Sequence, residues 1–399
     1  MISSGDNVSD PAGSGALLAV ALAFFLCGCV SLIVNGASLL TLHAFAAFIV
    51  MAVVGASNQL VPVLTGAKAA PARTVMLLSA PLVLGFVLLL GGFHGIHVLF
   101  SIAGPLLFVG VTAWGIWTIN RIRTAPLEAQ TRAAVIAATV AFIAAAGIGA
   151  VMALALDGRA AVGALLLAPT HASLVVIAFA STFVFAVSYR FVPMFSLAHT
   201  TEGRWTRSAQ WTIAVAGVAG GLVFLSIWYM RAGSIIAIVS VIAAVVVHLH
   251  TLKKRMRKKI DVSLRYASAA WVFALFAAGC TLGATWHPDK APAAVAFAIL
   301  GWLSLSILGY SYKVVGFLAW EYARRMHPTA KLPPLGNAVP ERASNVSLAL
   351  LVVGALGAAL STAFAPEALR MAAVVYAAGG IGAVAVLARL GWQYVGLKA

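Results

Sequence analysis

Two histidines offer this chain its clearest chemistry. His43 and His171 each open a long apolar segment, fourteen and seventeen residues before a serine that recurs in one local pattern, Ser57-Asn58-Gln59 and Ser188-Tyr189-Arg190. A neutral imidazole in an apolar setting can serve as an axial ligand to haem iron or as a ligand to copper. Ionisable groups inside hydrocarbon are costly, so their presence there asks for a role. The plainer alternative is an interfacial histidine, because each segment supplies only one imidazole. His94 and His97, spaced i and i+3, and His287 fall in connections at the same end as His43, where three or four imidazoles could gather copper or zinc. Cys27, Cys29 and Cys280 could add sulfur ligands there or simply pack; their places within apolar segments argue against a disulfide framework. His248 and His250 abut a basic run and read as interfacial.

The serine pattern occurs a third time. Ser57-Asn58-Gln59-Leu60-Val61-Pro62, Ser188-Tyr189-Arg190-Phe191-Val192-Pro193 and Ser311-Tyr312-Lys313-Val314-Val315-Gly316 lie 131 and then 123 residues apart, and Gly55, Ala186 and Gly309 stand two positions before each serine. Such recurrence predicts an internal threefold repeat. Gln59, Arg190 and Lys313 share one frame position. Long cations there can snorkel to the cytoplasmic interface. Alternatively they line inner cavities together with Tyr189 and Tyr312 and bind haem propionates, anionic lipid or substrate. Pro62, Pro193 and Gly316 loosen the helix ends, and Glu321 reads as the partner of Arg324 or Arg325. His43 and Pro62 are nineteen residues apart, roughly 28 Å along a helix, so histidine and signature belong to opposite membrane faces. The frame equivalents in the third copy, Phe297 and Ala294, cannot ligate a metal.

The elements that must position these residues follow from composition. Of 399 residues, 62% are hydrophobic and 9% charged, and mean hydropathy is +1.03, which leaves too few charges to cover a globular surface. The chain reads as an all-α polytopic membrane protein. Stretches near 15–35, 40–64, 74–92, 97–119, 131–155, 165–195, 210–230, 232–252, 266–286, 292–322, 344–364 and 370–396 are each long enough to span. They divide into three repeats of four, approximately 15–119, 131–252 and 266–396, so that each signature closes the second helix of its repeat. Residues 1–14 form a polar N-terminal tail without a positive n-region, which argues against a cleaved signal, and 15–399 form a single membrane domain. The net charge of +16 follows membrane side rather than a nucleic-acid-binding surface: twenty of 26 Lys and Arg fall by the even-numbered connections and the C-terminal end. Both termini are therefore expected in the cytoplasm, with Lys253-Lys254-Arg255-Met256-Arg257-Lys258-Lys259 as the strongest anchor and a candidate contact for anionic lipid.

Phosphate-binding loops, dinucleotide fingerprints and serine-hydrolase arrays are absent, and ten scattered carboxylates are too few for a di-metal site. The architecture resembles the catalytic subunit I of haem-copper oxidases and nitric oxide reductases. Local sequence is similar to a shorter group of subunit I-like bacterial membrane proteins: Leu42-His43 leading to Gln59-Leu60-Val61-Pro62-Val63-Leu64; Tyr189-Arg190-Phe191-Val192-Pro193-Met194-Phe195; and Gly309-Tyr310-Ser311-Tyr312-Lys313-Val314-Val315-Gly316-Phe317-Leu318-Ala319-Trp320. The resemblance implies a multi-pass protein of the bacterial inner membrane, with His43 as the helix 2 ligand of a low-spin haem and His171 as a helix 6 copper ligand. It also implies histidines that are missing here, since 210–230 and 292–322 contain none and Val175 stands where many oxidases carry a cross-linked tyrosine. A complete oxygen-reducing centre cannot be assembled. What remains is a haem-copper-oxidase-fold protein that carries haem b, copper or no cofactor, acting in electron transfer, nitric oxide handling or cofactor assembly beside respiratory or assembly subunits in the bilayer. The alternative is a non-redox carrier or binding partner for haem, lipid or a respiratory subunit.

Overall fold

The computed structural model describes residues 11–65, 70–125, 128–198, 203–222, 226–327, 332 and 339–395. They form twelve long helices: α1 Pro11–Asn35, α2 Leu39–Thr65, α3 Ala72–Phe93, α4 Phe100–Ile122, α5 Ala129–Leu156, α6 Ala164–Ser196, α7 Arg204–Gly221, α8 Ile227–Lys253, α9 Val262–Ala284, α10 Pro288–Met326, α11 Glu341–Phe364 and α12 Leu369–Val395. Eleven of them, all but α7, are long and apolar enough to cross a membrane. The N-terminal tail is shorter than the sequence suggested, because α1 already starts at Pro11, a residue well suited to a first helical turn. The expected span at 210–230 is also corrected. Helix α7 ends at Gly221, and Ser226 caps α8 by accepting from the Trp228 N–H at 3.2 Å, so the break falls inside that window.

Three helices lie innermost. Their spanning stretches are 67% (α2), 61% (α6) and 83% (α10) buried, against 33–50% for the other eight. These are the three signature helices. The outer helices pack around them and the ring closes where α1 meets α12. Apolar side chains gain little from leaving lipid, so close packing of small residues must hold such a bundle. A Cβ on Gly354 of α11 would run into the Tyr376 backbone nitrogen, and one on Gly379 of α12 would lie 2.7 Å from that of Leu351. Gly309 admits α9 in the same way, since its Cβ would meet Tyr266 at 2.5 Å.

Both α6 and α10 widen midway. Residues Leu174–Ser181 and Phe297–Leu303 are π-helical, and α2 has no such segment. Wider turns leave carbonyls in need of donors. Ser181 and Thr182 donate to the carbonyls of Val176 and Ile177 at 2.7 and 3.1 Å, and the Tyr376 hydroxyl of α12 donates to that of Leu300 at 3.1 Å. Trp302 of α10 donates through Nε1 to Ser181 Oγ at 2.9 Å, joining the two widened segments.

Candidate functional site

His43 stands in the first turns of α2 and His171 in the first part of α6. The His43 ring packs on Phe93 of α3 with centroids 4.6 Å apart, and His171 lies against Ala145 and Gly149 of α5. The two imidazoles are electrostatic neighbours. An aromatic floor joins α4, α5 and α6: Phe142 of α5 stacks on Phe179 of α6 at 3.9 Å, and Trp114 of α4 meets both edge-on. Trp114 also donates through Nε1 to Ser57 at 3.3 Å, which fixes the floor to α2.

Each histidine is oriented by a main-chain oxygen. His43 Nδ1 lies 2.8 Å from the Leu39 carbonyl and His171 Nδ1 lies 3.0 Å from that of Ala145. A carbonyl can only accept, so Nδ1 carries the proton in the neutral ring and Nε2 keeps a lone pair. That second contact is the usual way a protein fixes an imidazole for metal ligation. The pair is short of a full set: among the described residues no three of His, Cys, Asp and Glu come together as metal ligands. Thus His94, His97, His287 and the cysteines do not complete the outer cluster that the sequence allowed. All three cysteines are free thiols.

The porphyrin place implied by the resemblance does not fit. His43 and Phe45 are two residues apart and therefore about 200° apart around α2. Phe45 faces α1 and α12, where Phe25, Phe48 and Tyr376 join it, all under 2% exposed. Tyr376 of that cluster reaches α10 at the Leu300 carbonyl, and His43 packs apart from it on Phe93. A small ion bound through Nε2 makes no such demand for volume.

Towards the C-terminal ends of α2, α6 and α10 the signature residues are held separately. Arg190 Nη2 pairs with Glu128 at 2.9 Å, and Lys313 pairs with Asp261, the residue that caps α9 by accepting from the Ser263 N–H at 3.0 Å. Both cations thus find carboxylates on the loops before α5 and α9. Tyr312 meets Tyr266 hydroxyl to hydroxyl at 3.3 Å, and Glu321 holds both Arg324 and Arg325, at 2.7 and 3.0 Å. Gln59 is buried, and neither its oxygen nor its nitrogen finds a hydrogen-bond partner. Tyr189 packs at a tilt against His248 with ring centroids 4.9 Å apart, which corrects the interfacial reading of that histidine: His248 is 1% exposed and stacks on Trp271 of α9 at 4.8 Å. His250 is exposed, as expected. Helical phase separates the two, turning His248 inward and His250 out.

Sequence reasoning missed the centre of the bundle. A cavity of about 50 Å³ lies where α2, α6 and α10 meet, lined among others by Val53, Val184 and Ile307 and by Ala56, Val187 and Tyr310. These two triplets stand four and one residues before the three signature serines. Ser188 and Tyr310 share a hydrogen bond of 2.6 Å beside it. A second cavity, of about 60 Å³, lies between α6, α8, α9 and α10 and carries the hydroxyls of Ser181, Ser234, Ser240 and Thr281. The period of the signature was the signal that could have located the first. None of Gln59, Tyr189, Arg190, Tyr312 and Lys313 lines either cavity. No protein-family model matches this chain, and comparison with curated proteins gives no significant match.

Proposed function

We propose that this chain is a haem-copper-oxidase-fold protein of the bacterial inner membrane with a reduced ligand set, in which His43 and His171 bind one copper-class ion at the outer end of the α2–α6 space. It serves electron transfer, nitric oxide handling or cofactor assembly beside respiratory subunits. The observation that carries this reading is the hydrogen-bond state the imidazoles share, each with Nδ1 on a carbonyl and Nε2 left as a donor. Two imidazole ligands suit monovalent copper, which accepts low coordination, and imidazole is a general ligand for copper. In this reading Leu39 and Ala145 hold the ring tautomers, Phe93 positions His43, and the Trp114–Phe142–Phe179 floor keeps water from the membrane side of the ion.

The threefold repeat supports the architecture. The π-helical segments begin at Leu174 and Phe297, 123 residues apart, the same interval that separates Ser188 from Ser311. Signature-equivalent residues of all three helices meet at the central cavity. Gly55 and Gly309 each admit the first helix of their own repeat, α1 and α9. Both termini lie in the cytoplasm in this arrangement, with the run Lys253 to Lys259 as topological anchor.

A second reading has its own support. The aromatic filling between α1, α2 and α12 suits a bundle that has given up cofactors and works as a membrane carrier or as a partner for haem, lipid or a respiratory subunit. Metal content per chain and a reduced-minus-oxidised visible spectrum, taken on one detergent-purified sample expressed with ample copper and haem, separate the two. About one copper per chain without cytochrome bands supports the proposal. Stoichiometric haem would overturn the exclusion of porphyrin, and a blank on both counts would leave the non-redox reading.

A further inference from the structure

The inner ends of the three repeats treat positive charge in two ways. In the second repeat Arg190 pairs with Glu128, the residue immediately before α5; in the third, Lys313 pairs with Asp261, the residue immediately before α9. Each latch joins the end of a repeat's second helix to the start of its first. The first repeat has the acid, since Asp10 immediately precedes Pro11 in the sequence, but it has Gln59 where the cation should be. Asp10 lies outside the described residues, so the site rests on what surrounds Gln59.

That surrounding is rich in oxygen. Gln59 Oε1, Asn58 Oδ1 and Ser14 Oγ are all buried and all without a hydrogen-bond partner, and the three residues are 5%, 2% and 1% exposed. Ser14 of α1 packs on α2 one turn before Gln59: its carbonyl oxygen would be 3.6 Å from a Cβ on Gly55. Pro62 adds a further acceptor. Lacking an N–H, it leaves the main-chain carbonyl four residues back, that of Asn58, without its helical donor. Buried acceptors without donors are rare and call for water or an ion. Hard oxygen donors from side chains and from carbonyls freed at a broken helix are the chemistry that holds alkali cations inside membrane proteins.

We infer that an alkali cation, Na⁺ or K⁺, binds at the inner end of α2 among Gln59, Asn58 and Ser14, in the place that Arg190 and Lys313 fill with their own charges. The inference rests on the threefold repeat proposed above. Nitrogen of Gln59 can donate to a water of the ion's shell, which accounts for the second unpartnered atom of that side chain.

Thermal unfolding of the full chain in detergent tests this, with NaCl or KCl compared against N-methyl-D-glucamine chloride at equal ionic strength. A ligand that binds only the folded state raises Tm with concentration, so the expected result is a saturable rise for an alkali salt. Gln59→Lys should reach the raised Tm in N-methyl-D-glucamine and lose the alkali dependence; Ser14→Ala should shift the half-saturating concentration upward. Equal Tm in all three salts for the unsubstituted protein, or full alkali dependence in folded Gln59→Lys, overturns the site. The repeat is tested apart from the site by Arg190→Gln, which should gain an alkali response of its own; a site present in the parent protein with no such gain would retain the cation and refute the threefold equivalence.

Discussion

At the scale of single residues, burial and partners separate groups that look alike in sequence. Arg190 and Lys313 hold the same frame position, yet the Arg190–Glu128 pair is about one-third exposed on each side, whereas Lys313 shares Asp261 with a helix cap and with Arg257 at 3.4 Å. Losing Arg190 to Gln should therefore cost about 0.2–1 kcal/mol, in the range of exposed pairs. Asp261→Ala removes a cap worth roughly 0.5–2 kcal/mol as well as the partner of Lys313. Chemical denaturation in mixed micelles should rank Asp261→Ala clearly below Arg190→Gln; the reverse order would deny Asp261 its double role. His248 makes the same point in the interior. Its neighbours Tyr189 and Trp271 come from α6 and α9, and no local pattern announces that three distant segments will bring their rings together there.

At the scale of helices, the widened turns of α6 and α10 change which residues correspond. A π-helical turn takes in one residue beyond the α-helical register. Removing one residue from α6 aligns its N-terminal half with that of α2, so that His43 falls opposite Ser173 and Thr41 opposite His171. The different histidine-to-serine spacings of fourteen and seventeen residues then describe two positions of one frame that lie two residues, about 200° of helix, apart. Deleting Ile177 should convert the α6 segment to regular helix and leave a folded protein, while deleting Val50 from α2 should throw His43 out of register and abolish monodisperse expression. Size-exclusion profiles of the two variants decide this, and equal damage from both would refute the phase argument. Helix contacts offer a second test: Gly354→Val places a side chain where the Tyr376 backbone already lies, so α11 and α12 should separate and yield should collapse, whereas Gly283→Val, with open space around it, should be tolerated.

For the whole molecule, much was legible in sequence because lipid imposes a simple grammar. Spans declare themselves by length and apolarity, and the three helices that carry the signature are also the three most buried. The α7–α8 break was misplaced because Ser226 caps a helix inside a stretch that hydropathy reads as continuous. The direction of His43 was legible only once α3 and α12 were in place. Its helix could have turned it towards either, and packing of Phe45 against Tyr376 leaves the imidazole on the α3 side. The Ser14–Asn58–Gln59 oxygens were likewise invisible as a group, since α1 and α2 must pack before Ser14 approaches.

The central claim is that two histidines on different helices hold one ion. X-ray absorption at the copper edge, recorded on copper-loaded protein and on folded His43→Ala and His171→Ala variants, tests it most directly. The account requires a first shell dominated by two imidazole nitrogens in the parent protein, reduced to one by either substitution together with loss of tight binding. A shell that is unchanged by both substitutions, or one built from sulfur, would contradict it.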